Sequence, residues 1–322
     1  MVFYGNMKTI FLREKAMNSG LISVILPAYN TPEIFLREAI ESVLTQTYSE
    51  FELLVIDDST SDPVEDIVKS YSDCRIKYIR NPQNIGMAES RNRGLELARG
   101  EFVALLDHDD WWSPEKLQHC LAIFKERHEA VLVYSDTIPF GDYLNRRIEL
   151  KKAEGRIFNR MIVQNPILSM SCSVVKKDFL EQHNIKFNSD CVPCDDWDFH
   201  LQCALHGSIY CTAEPLVKYR YHENNLSSNA IKMYYAGIRV IDKYQKLLDE
   251  VVLQTEFTRK DLQQSINYIA FKHYYGLAFE YLKLHEYKKA LKCLLRAFLY
   301  RPFKCISKIL GYIGKWLKKK II

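Results

Sequence analysis

Short apolar runs alternate with amphipathic segments between residues 21 and 134, and this alternation predicts the fold. The predicted buried strands are Leu21–Leu26, Phe51–Ile56, Arg75–Ile79, Phe102–Leu106 and Ala130–Tyr134. Apolar residues at helical spacing predict helices at Pro32–Gln46, Pro63–Tyr71, Met87–Arg99 and Pro114–Arg127. Strands without polar alternation, separated by helices, indicate an α/β fold with a mostly parallel sheet and helices on both faces.

Polar segments follow four of these strands directly. They are Pro27-Ala28-Tyr29-Asn30, Asp57-Asp58-Ser59, Asn81 to Gly86, and Asp107-His108-Asp109-Asp110. Because ligands bind beyond the carboxyl ends of the strands in such sheets, we expect the four segments to meet in one cleft. The glycine patterns of Rossmann dinucleotide sites and of P-loops are both missing from the sequence.

The fourth segment holds three carboxylates within four residues, at Asp107, Asp109 and Asp110. Like charges this close disfavour one another unless a cation neutralises them, and a hard divalent metal ion does so most simply. The alternative is a solvated turn before a helix that is capped by Ser113 and has Pro114 at its first position. The cap does not account for the acids, so the pattern predicts a metal-dependent phosphate site.

Beyond Asn229 the sequence becomes helix-rich, and glycine and proline are nearly absent as far as Arg301. One tetratricopeptide-like hairpin fits the spacing of Tyr274, Leu277, Ala278, Tyr281, Ala290, Leu294, Ala297 and Pro302. A lone repeat leaves one face uncovered, so we expect it to pack on the α/β domain or to pair with a second copy as a homodimer. Two ordinary amphipathic helices that complete the fold are the alternative.

The composition limits the class of protein. With 48% hydrophobic and 26% charged residues, the 322-residue chain resembles a globular protein rather than a disordered one. It has no apolar stretch of about 18 residues for a membrane span, and Arg13, Glu14 and Lys15 interrupt the N-terminal region where a signal peptide is apolar. We therefore expect a cytoplasmic protein. Nine cysteines, mostly in apolar surroundings, favour reduced thiols, and Cys191 and Cys194 lack a second pair at zinc-site spacing.

Taken in order, the motifs between residues 21 and 225 resemble those of family 2 glycosyltransferases, which have the nucleotide-sugar-binding GT-A fold. The matching segments are Val24 to Asn30, Leu44 to Tyr48, Glu52 to Ser59, Asn84-Ile85-Gly86 with Ser90-Arg91-Asn92, Asp107-His108-Asp109, and Cys194-Asp195-Asp196-Trp197-Asp198. The resemblance implies a GT-A catalytic domain (21–228), which follows an N-terminal extension (residues 1–20). The change in sequence character beyond it predicts a helical region (229–300) and a basic tail helix (301–322).

The resemblance also implies a binding site for the donor, a UDP-sugar with Mn²⁺ or Mg²⁺. The residues implied to hold the donor are Pro27, Ala28, Tyr29, Asn30, Asp57, Asp58, Asn84, Gly86, Arg91, Asp107, His108 and Arg220. Within this set Asp58 would bind the base, Asp107 would face the ribose, and His108 would be a spacer that points away from the metal. Asp109 would be the principal metal ligand, with Asp107 and His222 as further candidates. For Asp57 and Asp58 the alternative is an Asx-type turn that caps the next helix.

Two further segments have implied roles. In the family, the second acid of a Glu-Asp pair is the general base, which makes Asp196 the candidate here, with Asp195 in place of the usual glutamate. A helix N-terminus that favours carboxylates is the alternative for both acids. Arg220 and His222 would touch the diphosphate or the metal. Trp111 and Trp112 either stack on a sugar or belong to the core.

These expectations define a function. We expect an inverting, metal-dependent transferase that moves a hexose from a UDP-sugar to a hydroxyl of a glycan or lipid-linked saccharide in cell-surface polysaccharide synthesis. The alternatives are a sugar nucleotidyltransferase and a non-catalytic scaffold that binds nucleotide sugars. A nucleotidyltransferase normally needs a basic, glycine-rich loop near the first strand, and Pro27 to Asn30 is not such a loop.

The C-terminal segment is strongly basic. From Arg301 onward the chain carries seven lysine and arginine residues and no acid, a charge of +7 in a chain of net charge +4. Apolar residues recur there at helical intervals, and Trp316 stands among the last lysines. Such a helix suits an anionic membrane surface, so residues 303–322 are predicted to contact the inner face of the cell membrane. A helix docked on the protein is the alternative, and no nucleic-acid partner is expected because no recognition fold accompanies the lysines.

Overall fold

The computed structural model describes residues 20–61, 64–141 and 152–310. These residues divide between two compact units. The first, here called the sheet unit, comprises the described parts of Met1–Ile157, Pro166–Ser189 and Gln202–His222. The second, the helical unit, comprises the described parts of Phe158–Asn165, Asp190–Leu201 and Glu223–Ile322.

The strands of the sheet unit form one sheet. They are β1 (Ile22–Ala28), β2 (Phe51–Asp57), β3 (Ile76–Arg80), β4 (Phe102–Leu105), β5 (Trp111–Trp112), β6 (Ala130–Gly141), β7 (Ser173–Lys176) and β8 (Ser208–Tyr221). Their spatial order is β3-β2-β1-β4-β7-β6-β8-β5.

Helices connect and follow these strands. They are α1 (Glu33–Leu44), α2 (Glu65–Lys69), α3 (Met87–Leu97), α4 (Lys116–Glu126), α5 (Phe158–Met161), α6 (Lys177–Gln182), α7 (Asp195–His206), α8 (Ala230–Lys246), α9 (Leu248–Gln254), α10 (Arg259–Lys283) and α11 (Tyr287–Tyr300). Residues 302–310 are also helical. The predicted α/β fold with a helical C-terminal region is therefore confirmed.

The parallel half of the sheet explains the sequence pattern. Strand β1 lies between β2 and β4 and pairs with both in parallel, and β2 pairs in parallel with β3. Every residue of β1, β2 and β4 is buried, so no polar alternation is possible along them. All four strands end at the same edge of the sheet, which brings the turns that follow them together.

The other half of the sheet is mixed and was only partly predicted. Strand β7 pairs antiparallel with β4 and β6, and β5 pairs antiparallel with β8. Both strands were missed because they are short, at four and two residues, and tertiary pairing alone defines them. Strand β6 is longer than the predicted Ala130–Tyr134, since it continues alongside β8 in a parallel pairing with register shifts.

The prediction that Ser113 caps a helix is wrong. Helix α4 begins at Lys116, Glu115 is its N-cap residue, and no side-chain capping bond is present. The backbone N–H of Ser113 instead donates to the carbonyl of Leu216 at 2.9 Å. Because this segment pairs with β8, the helix begins only after Pro114, at Lys116.

The helical unit has its own apolar core. Residues from α8, α10 and α11 share one buried cluster that includes Ile238, Phe271, Leu277, Ala290 and Ala297. The residues predicted to form a tetratricopeptide-like hairpin lie mostly in this cluster, and they pack with Ile238 of α8. The likeness to that repeat, the predicted domain limits and homodimer formation stay predictions.

Two expectations from composition concern the whole chain. All nine cysteines are free, and all except Cys74 are buried, as expected for reduced thiols. In the part of the chain that the structure describes, none of the helices combines the length and apolar composition that crossing a bilayer requires. Trp316 and the rest of residues 311–322 lie outside the described residues.

Candidate active site

The turns at the carboxyl edge of the sheet are bonded to one another. The N–H of Asp58 donates to the carbonyl of Ala28 at 2.9 Å, and the N–H of Asn30 donates to the hydroxyl of Ser59 at 2.9 Å. His108 Nδ1 lies 3.3 Å from the carbonyl oxygen of Pro27. The sequence prediction that separate polar segments meet at this edge therefore holds for the turns after β1, β2 and β4.

Tyr29 is the large side chain that the first turn presents to solvent. It is 49% exposed, whereas the preceding Ala28 is buried. Asn30 follows with φ of 45°, a left-handed conformation that asparagine tolerates better than most residues. The turn therefore places an aromatic ring beside the edge of the sheet.

Asp58 organises the loop that follows β3. Its Oδ1 accepts hydrogen bonds from Asn81 Nδ2 at 2.8 Å and from the N–H of Ile85 at 2.9 Å. Its Oδ2 accepts from Asn84 Nδ2 at 3.0 Å and from the N–H of Gly86 at 2.8 Å. Gly86 has φ of 86°, which favours glycine. Four donors fill the acceptor sites of a carboxylate, so Asp58 positions this loop.

Asp57 is buried, and its carboxylate is hydrogen-bonded within the protein. Its side chain is fully buried and accepts hydrogen bonds from the N–H of Ser59 at 2.9 Å and from the hydroxyl of Tyr78 at 2.6 Å. It also accepts from the N–H of Val64, the residue that precedes α2. The alternative interpretation from sequence, an Asx-type turn leading into the next helix, describes Asp57.

The three clustered acids have three different environments. Asp107 Oδ1 accepts a hydrogen bond from Arg91 at 2.6 Å, and the two groups form an ion pair. The guanidinium of Arg91 is buried and lies 5.4 Å from the centre of the Phe187 ring. This cation, which comes from α3, offsets the charge of Asp107.

Asp109 pairs with a histidine from the end of β8. His222 Nε2 lies 2.9 Å from Asp109 Oδ2, and the two side chains are 17% and 15% exposed. Burial acts to raise the pKa of Asp109, but the hydrogen bond from His222 and the charges of His108 and His222 outweigh it, so the pKa lies below its ordinary value. Asp109 is therefore held as a carboxylate next to an imidazole.

Asp110 points into the protein. It accepts a hydrogen bond from Ser171 Oγ at 2.5 Å and one from the N–H of Arg220 at 3.1 Å. Burial first, and then the charges of Asp109 and Asp107, raise the pKa of Asp110 well above its ordinary value. Asp110 thus joins the acidic turn to β8 as an internal contact.

Arg220 is clamped between two aromatic rings. Its guanidinium carbon lies 4.3 Å from the ring centres of both Phe35 and Phe140. Its Nε donates to the backbone carbonyl of Asp109 at 2.8 Å, and it forms an ion pair with Glu38. These contacts fix the backbone beside the Asp109 carboxylate, and they give Arg220 a positioning role.

The tryptophans after the acidic cluster differ in their environments. Trp112 is fully buried and donates from Nε1 to the carbonyl of Ser171 at 2.8 Å, as the core interpretation requires. Trp111 is half-buried, and Lys218 Nζ lies 4.2 Å from its ring centre.

A small set of protein ligands is available for a divalent metal ion. Among the described residues, no three histidine, cysteine, aspartate or glutamate side chains form a group that could hold a metal. Mg²⁺ commonly uses only one or two carboxylates and completes its shell with substrate phosphates and water. Mn²⁺ accepts carboxylate, and imidazole suits several related metals. The Asp109 and His222 pair fits such a two-ligand site.

Asp195 and Asp196 lie in the helical unit, where α7 begins with acids as predicted. Asp195 is buried, and Asp198 is buried and paired with Lys243 at 2.8 Å. Asp196 is half-exposed, and its Oδ1 accepts from the N–H of Trp197 at 2.6 Å. Of the three acids, Asp196 is the most accessible.

Several residues of the site were missed from sequence. Asn81, Glu38, Phe35, Phe140 and Ser171 hold the candidate residues in place, and they lie in four separate segments, with Phe35 and Glu38 both on α1. Asn81 lies in a polar segment that was predicted to reach this edge, but no role was assigned to it. The other four are ordinary helix, strand or loop residues whose role depends on tertiary contacts.

Half of the chain matches the model of a known protein family. Residues 23–183 match the model described as glycosyl transferase family 2. The matched segment contains β1 to β4 and the turns at their carboxyl ends. It also contains the acidic cluster.

Relatives were found among both sequences and structures. The chain is 30% identical over 222 residues to the Escherichia coli UDP-Glc:alpha-D-GlcNAc-diphosphoundecaprenol beta-1,3-glucosyltransferase WfgD, covering 67% of this chain and 83% of that protein. It is 29% identical to the putative teichuronic acid biosynthesis glycosyltransferase TuaG of Bacillus subtilis, covering 66% and 83%. The structure of S. aureus TarS 1-349 with UDP-GlcNAc superimposes with a TM-score of 0.66 and 21% identity, covering 89% and 83%.

Proposed function

Because the chain belongs to glycosyltransferase family 2, we propose that it transfers a hexose from a UDP-sugar to a hydroxyl of a glycan or lipid-linked saccharide, with inversion at the anomeric carbon. The observation that carries the proposal is the group of polar turns at one edge of the sheet, where Asp109 pairs with His222 beside the ion pair of Asp107 and Arg91.

The uridine of the donor would lie against the turns after β1, β2 and β3. Pro27 and Ala28 shape the first turn, Asn30 joins it to the second, and Tyr29 offers an exposed ring for the base. The resemblance implies that Asp58 binds the base, but its carboxylate already accepts four hydrogen bonds from the protein. We therefore propose that Asp57 and Asp58 act by fixing these turns. Asn84 and Gly86 would then line the pocket.

The diphosphate would lie near the acidic turn. Asp109 and His222 would hold Mn²⁺ or Mg²⁺, with Asp107 toward the ribose and Arg91 balancing its charge. When bound, the ion takes up negative charge that develops on the departing nucleoside diphosphate. Arg220 would keep the backbone of Asp109 in place, and His108, bonded to the first turn, would set the spacing between the two acids.

The transfer step needs a base. We propose that Asp196 removes the proton of the acceptor hydroxyl while that oxygen attacks the anomeric carbon, and that the bond to the UDP oxygen breaks as UDP leaves. A single displacement inverts the configuration. Asp196 is accessible and lies in the first turn of α7, whereas Asp195 is buried and would support it.

The acceptor class follows from the relatives. WfgD is named as acting on a saccharide linked to diphosphoundecaprenol, and TuaG is assigned to teichuronic acid synthesis. We therefore propose a lipid-linked or polymeric acceptor of the cell surface and a place at the inner face of the cell membrane. Contact of residues 303–322 with that membrane, and self-association through the helical region, are part of the same proposal.

Transfer assays with one variant test the proposal. The full chain is incubated with a panel of nucleotide sugars and with lipid extracts as the acceptor source, and the release of nucleoside diphosphate is measured. We expect UDP from at least one UDP-hexose, and no turnover by Asp196→Asn despite normal UDP binding.

Asp190→Asn, a change at an exposed acid just before α7, is the matched control and should leave turnover unchanged. Near-normal turnover by Asp196→Asn would remove this residue from the mechanism. UDP binding without transfer to any acceptor would favour the non-catalytic scaffold. Release of pyrophosphate would favour a nucleotidyltransferase.

A further inference from the structure

Three cations crowd around one aromatic ring in the helical unit. Lys304 Nζ lies 4.6 Å from the centre of the Tyr268 ring, the guanidinium carbon of Arg301 lies at 5.2 Å, and Lys272 Nζ lies at 5.7 Å. Each contact with the ring is weakly favourable, but three like charges in one place also repel one another. An anion bound among them would relieve that repulsion.

The same ring borders a cavity of about 310 Å³. Its other lining residues are Arg301, Gln264, Ser265, Asp261 and Val163. Asp261 is the one acid in this lining, and its carboxylate already accepts a hydrogen bond from Thr258 Oγ1 at 2.6 Å at the start of α10. The remaining polar groups include guanidinium, amide and hydroxyl donors, which match the acceptor oxygens of a phosphate group.

Apolar side chains project into solvent on the helices next to this cavity. On α11, Leu291, Leu295 and Leu299 recur every four residues and are 58%, 59% and 79% exposed. On residues 302–310, Phe303 and Leu310 are 87% and 62% exposed. We call residues 287–310 the docking face. Single exposed apolar residues are common on proteins, but a row along successive turns marks an interaction surface.

The charge of the docking face indicates what covers it. Residues 287–310 hold seven lysine and arginine residues and no acid, so the rest of the chain carries a net charge of −3 within a total of +4. Lys288 and Lys292 are exposed beside the leucines. A second copy that pairs through the same face would bring a like charge against it, whereas an anionic lipid surface offers both opposite charge and an apolar interior.

We propose that the docking face binds an anionic membrane and that the cavity at Tyr268 takes the phosphate of a lipid head group. Leu295, Leu299 and Phe303 enter the interface, while Arg301 and Lys304 hold the phosphate. This places the membrane contact on α11 and residues 302–310 and adds a head-group site. It does not depend on which sugar the enzyme transfers.

Sedimentation of the full chain with vesicles tests the proposal. The vesicles are phosphatidylcholine with and without phosphatidylglycerol. Each basic residue near an anionic surface contributes a factor of about five to binding, so any double charge removal should cost about 30-fold. We expect the double variant Arg301→Gln with Lys304→Gln to lose about tenfold more vesicle affinity than this loss of about 30-fold. The additional factor corresponds to one hydrogen bond to a charged group.

Lys288→Gln with Lys292→Gln is the matched control, because it removes the same charge from the docking face without touching the cavity. Equal losses in the two double variants would overturn the head-group site, and equal binding to vesicles with and without phosphatidylglycerol would overturn the docking proposal. UDP binding should be the same in all these proteins, so failure here is distinguishable from failure of the proposed function.

Titration with soluble probes separates a lipid from free phosphate. The wild-type chain is titrated with short-chain phosphatidylglycerol below its micelle concentration and with inorganic phosphate. We expect tighter binding of the lipid, and loss of that binding in Arg301→Gln with Lys304→Gln. If inorganic phosphate binds as tightly as the lipid, the cavity is a free-phosphate site and the head-group assignment fails.

Discussion

Asp58→Asn should destabilise the sheet unit strongly although it changes a single atom. Asp58 accepts two hydrogen bonds at each carboxylate oxygen, from Asn81 and Ile85 on one side and from Asn84 and Gly86 on the other. An amide has one oxygen, so whichever way it turns, its NH₂ group faces two donors. Two hydrogen bonds to a charged group are then lost, at about 1.5–3 kcal/mol each, or about 3–6 kcal/mol in total.

Calorimetry of the full chain measures this loss. A destabilisation of about 3 kcal/mol lowers the midpoint by about 6–12 °C for a unit of this size. Asp66→Asn is the matched control, because Asp66 lies on the exposed side of the neighbouring helix and its replacement should change stability by less than about 0.5 kcal/mol. If Asp58→Asn melts within about 1 °C of Asp66→Asn, Asp58 does not organise the loop and the reasoning is refuted.

Three further predictions concern charge and packing. Burial acts to raise the pKa of Glu52, but hydrogen bonds from two basic side chains and a serine lower it to about 2. The lowered pKa stabilises the folded protein above the ordinary pKa of a glutamate, and this stabilisation is lost as the pH falls toward 2. Acid unfolding of Glu52→Gln should therefore be shallower over that range, and an unchanged profile would contradict this. Arg220→Lys should lower transfer at least about tenfold at unchanged circular dichroism, because an ammonium cannot stack between two rings and bridge a carbonyl; full activity would contradict the clamp. Asp109→Asn should abolish the effect of Mn²⁺ on UDP binding in titration calorimetry, whereas persistence of that effect would place the ion elsewhere.

The parallel half of the fold was predictable because burial dictated its sequence. Strands β1, β2 and β4 were each predicted to within about two residues, since buried strands are mostly apolar. Strand β3 was predicted as closely, although it is only half-buried. The shared direction of the four strands also predicts that the polar turns lie at one edge of the sheet. Strands β5 and β7 escaped prediction, because a strand of two or four residues carries too little pattern.

The side chains that pair with the acidic cluster could not be predicted from the sequence. The sequence shows three neighbouring acids, and a metal ion was the simplest cation to place among them. In the structure Arg91 is 16 residues from Asp107, and His222 is 113 residues from Asp109. Because those partners arrive through tertiary packing, sequence alone identified the acids but not what neutralises them. In the proposed site, a metal ion would therefore serve the diphosphate rather than the stability of the turn.

Titration calorimetry with UDP and UMP, in Mn²⁺ and in a chelator, tests most directly whether this edge of the sheet binds a nucleoside diphosphate together with a metal ion. We expect UDP to bind in Mn²⁺, chelation to weaken UDP binding at least about tenfold, and UMP to bind more weakly because it lacks the second phosphate. Equal binding of UDP with and without Mn²⁺, or equal binding of UMP and UDP, would contradict this expectation.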